Sequence, residues 1–237
     1  LCASDEGLYR GGTVMKDVSK WDKIQSIHLK KVLPNIFRGR DMAESEVWDK
    51  SLTLERGKVY LIEAASGTGK TSLCSYLTGY RQDYQGSIFF DTKDISTFSL
   101  RQWVDVRRYV LSHMFQELRL FPELTAWENV QIKNTLTKWR SARQIEEWFD
   151  AFGIADKRDE QIARMSFGQQ QRVAMIRALV QPFCFLLADE PISHLDEANS
   201  QSMADVLLSE VQAQGAGLLL TSVGKHMDIS YSQTLRL

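Results

Sequence analysis

The segment Ala64–Ser72, AASGTGKTS, constrains the fold more than any other part of this sequence. The apolar run VYLIEA leads into it, and the pattern of TSLCSYLTGY after it predicts a helix that ends near Gly79. A glycine-rich loop between a strand and a helix is the setting of a phosphate-binding loop, because main-chain N–H groups at a helix N-terminus surround phosphate oxygens. The segment therefore predicts an α/β fold with a site for nucleotide phosphates.

Within this loop, two side chains have distinct predicted roles. We expect Lys70 to reach the β- and γ-phosphates and Thr71 to offer its hydroxyl to Mg²⁺. The usual pattern opens with glycine, and Ala64 stands there instead; alanine is tolerated if its dihedral angles stay strand-like. The alternative is a glycine-rich turn with a surface lysine. The remaining members of the predicted site are Ser66, Gly67, Thr68, Gly69 and Ser72.

Composition limits the classes of function. The chain has 237 residues, 43% of them hydrophobic, which is enough for one good core, or for a core with a smaller satellite subdomain. The net charge is -1, which argues against the basic surface of a nucleic-acid-binding protein. Cys2, Cys74 and Cys184 form no disulfide or metal pattern and indicate a reducing compartment. No apolar run approaches the ~20 residues of a membrane span, so any span must belong to another chain.

The order of predicted elements indicates an α/β core with a helical insertion. Residues 1–23 lack periodicity and are predicted to be a loose extension, with Met15 a candidate start. Strands follow from Ile24, with a hairpin turn at Glu55–Lys58. Residues 97–163 have mostly helical patterns and predict a helical lobe. The apolar runs FCFLLADEP and GLLLTSV predict buried parallel strands, with a helix between them that stops at Gly215.

Two carboxylates follow the first of these apolar runs. Asp189 and Glu190 stand where a buried strand is expected to end, at the edge of the sheet. The first is predicted to hold the Mg²⁺ shell, and the second to orient or deprotonate an attacking water. The alternative is ordinary, because acidic residues often begin loops.

The segment MSFGQQQRVAMIRAL, just before that strand, makes the pattern specific. It resembles the signature of ATP-binding-cassette (ABC) proteins, LSGGQ followed by a basic residue, and Phe167 departs from the usual glycine. In that family, the serine hydroxyl and the N–H groups at this helix N-terminus close over the γ-phosphate bound by the other cassette of a dimer. The matching positions are Met165, Ser166, Gly168, Gln169 and Arg172.

The resemblance implies further site residues. Gln116 resembles the loop glutamine that touches Mg²⁺, and Asp196 resembles the family's D-loop aspartate. Phe37 stands about where the family places an aromatic ring against adenine; an ordinary core residue is an equal alternative. Ser222 takes the place of the histidine that contacts the γ-phosphate, or Val223 does if the alignment slips by one. His226, four residues later, is expected to be a solvated loop residue rather than a displaced ligand.

For residues 24–237 the resemblance implies a P-loop NTPase core with a parallel sheet, an N-terminal antiparallel β subdomain and an inserted helical subdomain. It implies an ATPase that uses ATP and Mg²⁺, dimerises as a homodimer or heterodimer, and drives a separate transmembrane permease from the cytoplasmic face of the membrane. Within the family, the chain looks most like the lipoprotein-release, macrolide-export and cell-division group. The alternative is a regulatory or scaffold module that binds ATP with little turnover.

Overall fold

Two β-sheets and six α-helices form the part of the chain that the structure, a computed structural model, describes: residues 24–65 and 67–237. The predicted extension 1–23 and the predicted site residue Ser66 lie outside these residues. Over the described ranges, no helix combines the length and the hydrophobicity that crossing a bilayer requires.

The smaller sheet is antiparallel. Its strand order is β2-β1-β4-β5. Buried and exposed residues alternate along the strand SLTLE, in which the two leucines are buried, so one face of the sheet is buried. The predicted N-terminal antiparallel subdomain is thereby confirmed. The strands are β1 (Ser26–Pro34), β2 (Ser51–Glu55), β4 (Tyr84–Phe90) and β5 (Lys93–Asp94).

The larger sheet is parallel and has the order β6-β7-β8-β3-β9. Every residue of the two predicted apolar strands is buried, as expected when helices cover both faces of a sheet. The prediction of an α/β core is confirmed. The strands are β3 (Val59–Glu63), β6 (Leu111–Met114), β7 (Phe185–Asp189), β8 (Gly217–Ser222) and β9 (Gln233–Arg236).

Most helices begin at a side-chain cap that is visible in the sequence. Four of them start with a Ser or Thr whose hydroxyl accepts the N–H three residues on, while a Gln or Glu there accepts the cap's own N–H. The helices are α1 (Lys70–Leu77), α2 (Leu100–Tyr109), α3 (Ala126–Thr137), α4 (Ala142–Ala151), α5 (Phe167–Leu179) and α6 (Glu197–Ala213).

Two details of the predicted organisation are wrong. The turn at Glu55–Lys58 does not join a hairpin, since β2 pairs with β1 and β3 pairs with β8 and β9. The three central residues of β3 are all buried, which suits a strand covered on both faces and not one half of an exposed hairpin. In addition, β6 lies inside the range 97–163 and pairs with β7 in the parallel sheet. The division into lobes otherwise stays a prediction.

Candidate functional site

The parallel sheet brings the predicted site residues to one edge. Strands β3, β7 and β8 end at Glu63, Asp189 and Ser222, and their registers place Glu63 opposite Ser222 and Asp189 opposite Thr221. The loop after β3 leads into α1, which begins at Lys70. Ligands of open α/β sheets bind outside the carboxyl ends of the strands, so this edge is the candidate site.

The glycine-rich loop is held by two aromatic side chains beneath it. Gly69 has φ 103°, and a Cβ there would lie 3.0 Å from Trp48 Cζ2 and 3.2 Å from Phe37 Cε2. The Trp48 indole N–H donates to the Thr68 carbonyl at 2.9 Å. Any other residue at position 69 would therefore meet both backbone strain and a steric contact. Ala64 has no positive φ, so alanine meets no left-handed strain there, and its N–H donates to the Ser222 carbonyl at 3.2 Å.

Lys70 has an ionic partner in this structure. Its side chain is only 7% exposed, and its amine lies 3.5 Å from Glu190 Oε1 and 3.3 Å from the Ala65 carbonyl. A buried amine held by a carboxylate and a main-chain oxygen is poised for an anion, because phosphate oxygens offer the same kind of acceptor. The alternative of a surface lysine on a turn is excluded by this burial.

Oxygen atoms from two strands, one helix and one loop meet next to Lys70. The Thr71 hydroxyl lies 3.1 Å from Asp189 Oδ2 and 3.4 Å from Gln116 Oε1, and the Thr221 hydroxyl donates to Asp189 Oδ1. Burial raises the pKa of Asp189, and the hydrogen bonds from Thr221 and Thr71 offset part of that shift. A cation at this position would offset the cost of burying the carboxylate.

These oxygens fit Mg²⁺. The ion prefers hard oxygen donors and is commonly held by one or two carboxylates together with substrate phosphates and waters. Thr71, Gln116 and Asp189 offer a hydroxyl, an amide oxygen and one carboxylate beside the phosphate-binding loop. The metal ligands predicted from the sequence are thus brought together.

Glu190 stands in an unusual backbone conformation. Its φ is 51°, a region that costs a non-glycine residue free energy unless the surroundings hold it there. Its N–H donates to the Thr221 carbonyl at 3.2 Å, and its carbonyl accepts from Gln171 Nε2 at 3.3 Å. The surrounding hydrogen bonds therefore fix the direction in which the carboxylate leaves the main chain.

Gln171 is a residue that the sequence analysis missed. Its side chain is 1% exposed, and besides Glu190 it donates to the Ser193 hydroxyl at 3.0 Å and accepts from the His194 N–H at 3.2 Å. A glutamine two positions after the signature gives no signal of its own, because its role depends on a loop about twenty positions later. The signal available was a polar residue three and four positions before the apolar residues Ala174 and Met175, a spacing that puts all three on one face of a helix.

Replacing Gln171 with leucine is expected to lower the free energy of unfolding by about 1–3 kcal/mol, because buried polar groups of the Glu190–His194 loop lose their partner. Chemical denaturation of the parent and the variant measures the difference. Gln201→Leu is the matched control, since Gln201 lies on the exposed face of α6 and its side chain donates to Asp205 Oδ1 at 2.8 Å. Equal losses in the two variants would contradict the expectation.

The signature residues form the N-terminus of α5. Ser166 is the N-cap, its hydroxyl accepts from the Gln169 N–H at 3.3 Å, and Gln169 Oε1 accepts from the Ser166 N–H at 2.9 Å. Gly168 lies so close to the loop before α6 that a Cβ there would be 2.9 Å from the His194 carbonyl oxygen. Phe167 is 42% exposed, and its ring packs against His194 with 4.4 Å between centroids.

Asp196 and Arg172 fix the start of α6 in different ways. Asp196 is the N-cap of α6 and accepts from the Asn199 N–H at 2.8 Å, and these hydrogen bonds lower the pKa of Asp196. Arg172 donates to Asn199 Oδ1 at 2.6 Å and to the Phe152 carbonyl at 2.7 Å. Arg172 therefore holds the start of α6 against α5, and Asp196 caps α6 itself.

Ser222 and His226 face different surroundings. Ser222 is buried, its hydroxyl donates to the Lys225 carbonyl at 2.5 Å, and together with Glu190 it lines a cavity of about 90 Å³. His226 Nε2 lies 3.2 Å from Glu63 Oε1, in a separate depression. Val223 is 47% exposed and follows the end of β8. Ser222 and Val223 both line the cavity at Glu190, whereas His226 lines the other depression.

Two predicted ligands are engaged elsewhere in this structure. Phe37 is 5% exposed and belongs to the hydrophobic core, so its ring offers no open face to a base. The burial of Phe37, whose ring lies under Gly69, favours the alternative that Phe37 is an ordinary core residue. Ser72 is 7% exposed, and its hydroxyl accepts from Arg81 Nη1 at 3.0 Å. The Thr68 hydroxyl donates to the Ala65 carbonyl at 2.8 Å, and Gly67 has φ 81°.

Comparison with known proteins agrees with this arrangement. Residues 47–193 match the protein family described as "ABC transporter". The chain is 34% identical over 177 residues to the macrolide export ATP-binding/permease protein MacB of Shewanella sp. (strain W3-18-1), covering 73% of this chain but only 27% of MacB. It is 32% identical over 174 residues to the lipoprotein-releasing system ATP-binding protein LolD of Syntrophotalea carbinolica, covering 72% of this chain and 77% of LolD.

The fold is also that of a solved cassette. The dimeric structure of MJ0796, a bacterial ABC transporter cassette, superposes with a TM-score of 0.71 at 24% identity, covering 83% of this chain and 87% of that one. A second structure of MJ0796, bound to ADP and Pi in a post-hydrolysis state, gives a TM-score of 0.68 at 23% identity. The predicted P-loop α/β fold is confirmed by these superpositions.

Proposed function

Because the chain belongs to the ABC transporter family, we propose that it is an ATPase subunit that binds ATP with Mg²⁺, dimerises around it and drives a separate transmembrane partner. The observation that carries the proposal is the convergence of Lys70, Thr71, Asp189 and Glu190 at one edge of the sheet. The two relatives named above include a macrolide exporter and a lipoprotein-releasing system, which favours a partner in the same group.

Each residue has a proposed role. Lys70 leaves Glu190 and binds the β- and γ-phosphates, with the loop N–H groups of Gly67–Gly69 around them. Thr71, Asp189 and Gln116 hold the Mg²⁺, which neutralises charge on the phosphates when it is bound. Glu190, released from Lys70, orients and deprotonates the attacking water. Ser222 contributes a hydroxyl on the same side of the cavity.

The second half of each site would come from another copy of a cassette. Ser166, Gly168 and Gln169 form a helix N-terminus whose N–H groups and hydroxyl favour an anion. Ser166 is exposed, and it lies on α5 rather than in the loop at Lys70. We infer that it serves the γ-phosphate bound by the partner, with Asp196 near the seam. The partner is a second copy of this chain or a related cassette.

We propose that the transmembrane segments belong to a separate protein chain. The described residues contain no helix that could span a bilayer, and LolD is named as an ATP-binding protein of a system. We place the chain at the cytoplasmic face of a membrane, where ATP is available. Since MacB carries ATP-binding and permease parts and this chain spans 27% of it, the transport activity of the whole assembly is part of the proposal.

A concentration series tests the proposal. Phosphate release from ATP is expected to need Mg²⁺ and to rise more steeply than the first power of protein concentration, because the active site is shared by two chains. Light scattering in the presence and absence of ATP measures the dimer directly. A chain that shows no saturable ATP binding under these conditions would contradict the proposal.

One observation favours the second candidate, an ATP-binding regulatory module with little turnover. The Ser222 hydroxyl is already donated to the Lys225 carbonyl, and serine is shorter than the histidine that the family places there. The same series separates the two functions: the regulatory module binds ATP and dimerises, but its phosphate release stays at the level measured in EDTA.

Replacing Ser222 with histidine is expected to raise kcat about tenfold or more and to leave ATP affinity little changed, because a contact to the γ-phosphate matters more in the transition state than in the ground state. Single-turnover kinetics measures the change. His226→Ala is the matched variant: it is expected to have little effect, since His226 contacts Glu63 instead of the cavity beside Glu190. The reverse pattern would assign the role to His226.

A further inference from the structure

A lysine follows the end of β8 by three residues. The strand ends at Ser222, whose hydroxyl donates to the Lys225 carbonyl at 2.5 Å, and Gly224 between them has φ 79°. A glycine in the left-handed region and a serine that bonds a nearby carbonyl make a compact turn. The turn directs Lys225 back toward the carboxyl edge of the parallel sheet, where its ammonium donates to the Leu195 carbonyl.

Lys225 shares a cavity with the carboxylate to which hydrolysis is assigned above. The Glu190 carboxylate lies 3.5 Å from Lys70 Nζ, so the cavity adjoins the position proposed for the phosphates. A cation and an anion that line the same small cavity have opposite effects on a phosphate placed there, since the cation attracts it and the anion repels it. The cavity has a volume of about 90 Å³ and is lined by Glu190, Ile192, Ser193, Ser222, Val223 and Lys225.

The hydroxyl groups of this cavity are already engaged within the chain. The Ser222 hydroxyl donates to the Lys225 carbonyl, and the Ser193 hydroxyl bonds His194 Nδ1 at 2.9 Å. The ammonium of Lys225 differs, because it has several N–H donors and the Leu195 carbonyl accepts one of them. Lys225 is therefore the lining residue best able to donate to a further acceptor in the cavity.

The charge of Lys225 has no direct counter-ion over the described residues, where its ammonium bonds a neutral carbonyl and forms no salt bridge. Hydrogen bonds from Asn199 lower the pKa of Asp196, and the charges of Arg172 and Lys225 add to that shift at longer range. A phosphate oxygen carries a charge that a carbonyl oxygen lacks, so it is the better acceptor for an ammonium. Because the Lys225 side chain is exposed and flexible, its ammonium can exchange acceptors without disturbing the core.

We propose that Lys225 distinguishes ATP from ADP: its ammonium leaves the Leu195 carbonyl and binds the γ-phosphate in the cavity beside Glu190. This inference rests on the proposed function, since it assigns a specificity-determining residue to the same nucleotide site. The ammonium offsets the repulsion between the Glu190 carboxylate and the phosphate. ADP has no γ-phosphate, so the contact adds to the affinity for ATP alone.

Titrations with ADP and with a non-hydrolysable ATP analogue, both with Mg²⁺, test the proposal at protein concentrations at which light scattering shows a monomer. The parent chain is expected to prefer the ATP analogue. Lys225→Met is expected to reduce this preference about tenfold by weakening the analogue alone, as the loss of one charge-assisted hydrogen bond predicts. Lys225→Arg, which keeps the charge, should retain most of the preference, and Lys50→Met, which removes an exposed charge outside the cavity, should retain all of it.

The ratio of the two affinities separates recognition of the γ-phosphate from a structural role in the turn. An unchanged ratio in Lys225→Met, an equal loss of affinity for both nucleotides, or a Lys225→Arg chain that behaves like Lys225→Met would overturn the proposal. If the parent chain binds both nucleotides and the ratio does not depend on residue 225, this inference fails and the proposed function stands. If the parent chain binds neither nucleotide, the proposed function fails and this inference fails with it.

Discussion

Lys70→Ala is expected to lower the affinity for ATP by about 100-fold or more, which corresponds to about 2.8 kcal/mol at 1.4 kcal/mol per factor of ten. The buried amine lies beside both the loop and Glu190, 3.3 Å from the Ala65 carbonyl and 3.5 Å from Glu190 Oε1. Alanine removes this charged donor to the β- and γ-phosphates and leaves the uncharged N–H groups of the loop to bind them. Titration with a fluorescent ATP analogue measures the loss.

Two companion variants make the Lys70 result specific. Lys58→Ala removes a half-exposed lysine that pairs with Glu55 at the start of β3, and it is expected to leave ATP affinity unchanged. The double variant Lys70→Ala/Glu190→Gln removes both members of the buried ion pair, so it does not leave an uncompensated carboxylate. It should be more stable than Lys70→Ala and still fail to bind ATP. Normal ATP affinity in either Lys70 variant would contradict the proposed site.

Glu190→Gln is expected to reduce turnover by about 10²–10⁴-fold, the usual contribution of a positioned general base. Glutamine keeps the shape of the side chain, but its amide does not take a proton from water. ATP affinity should persist or increase, since Lys70 no longer has to leave a carboxylate. The dimer should therefore accumulate with ATP bound, and light scattering detects it.

Glu147→Gln controls for the loss of one acidic group, because Glu147 pairs with Arg143 on the exposed face of α4. It is expected to turn over ATP like the parent chain. A Glu190→Gln chain that hydrolyses ATP at the parental rate would remove Glu190 from the mechanism. One that binds ATP yet stays monomeric would count against the shared site.

Local patterns in the sequence predicted the parts of the fold that depend on residues close together in the chain, such as helix ends and buried strands. Helix α6 runs from its Asp196 cap to Ala213, close to the predicted stop at Gly215, and the two uninterrupted apolar runs became buried parallel strands. The pairing of β3 with β8 was not predictable in the same way, because strand partners depend on which faces are buried. The short strand β6 was missed for a related reason: four residues between helical patterns carry no periodicity.

The candidate site likewise contains residues that local sequence patterns predicted and contacts that they did not predict. The phosphate loop, the carboxylates at the end of β7 and the signature helix each have a contiguous pattern, and the structure brings Lys70, Thr71, Asp189 and Glu190 together. Gln116, which the family resemblance implied, lies beside them, and the roles of these residues stay predictions. Contacts between segments distant in sequence left no such pattern. The burial of Phe37 beneath Gly69 and the hold of Gln171 on Glu190 depend on packing that no single segment encodes.

The contact at Gly168 connects two functional regions of one subunit, the signature at the start of α5 and the loop from Glu190 to His194. The first turn of α5 touches the His194 carbonyl where no side chain fits, and the next turn holds Glu190 through Gln171. In the proposed dimer, contact between Ser166 and the neighbour's γ-phosphate would displace the first two turns of α5. This displacement would move the carboxylate of Glu190 in the same subunit. Hydrolysis in each subunit would then depend on whether nucleotide is bound at the opposite site, and the two hydrolysis events would be coupled in time.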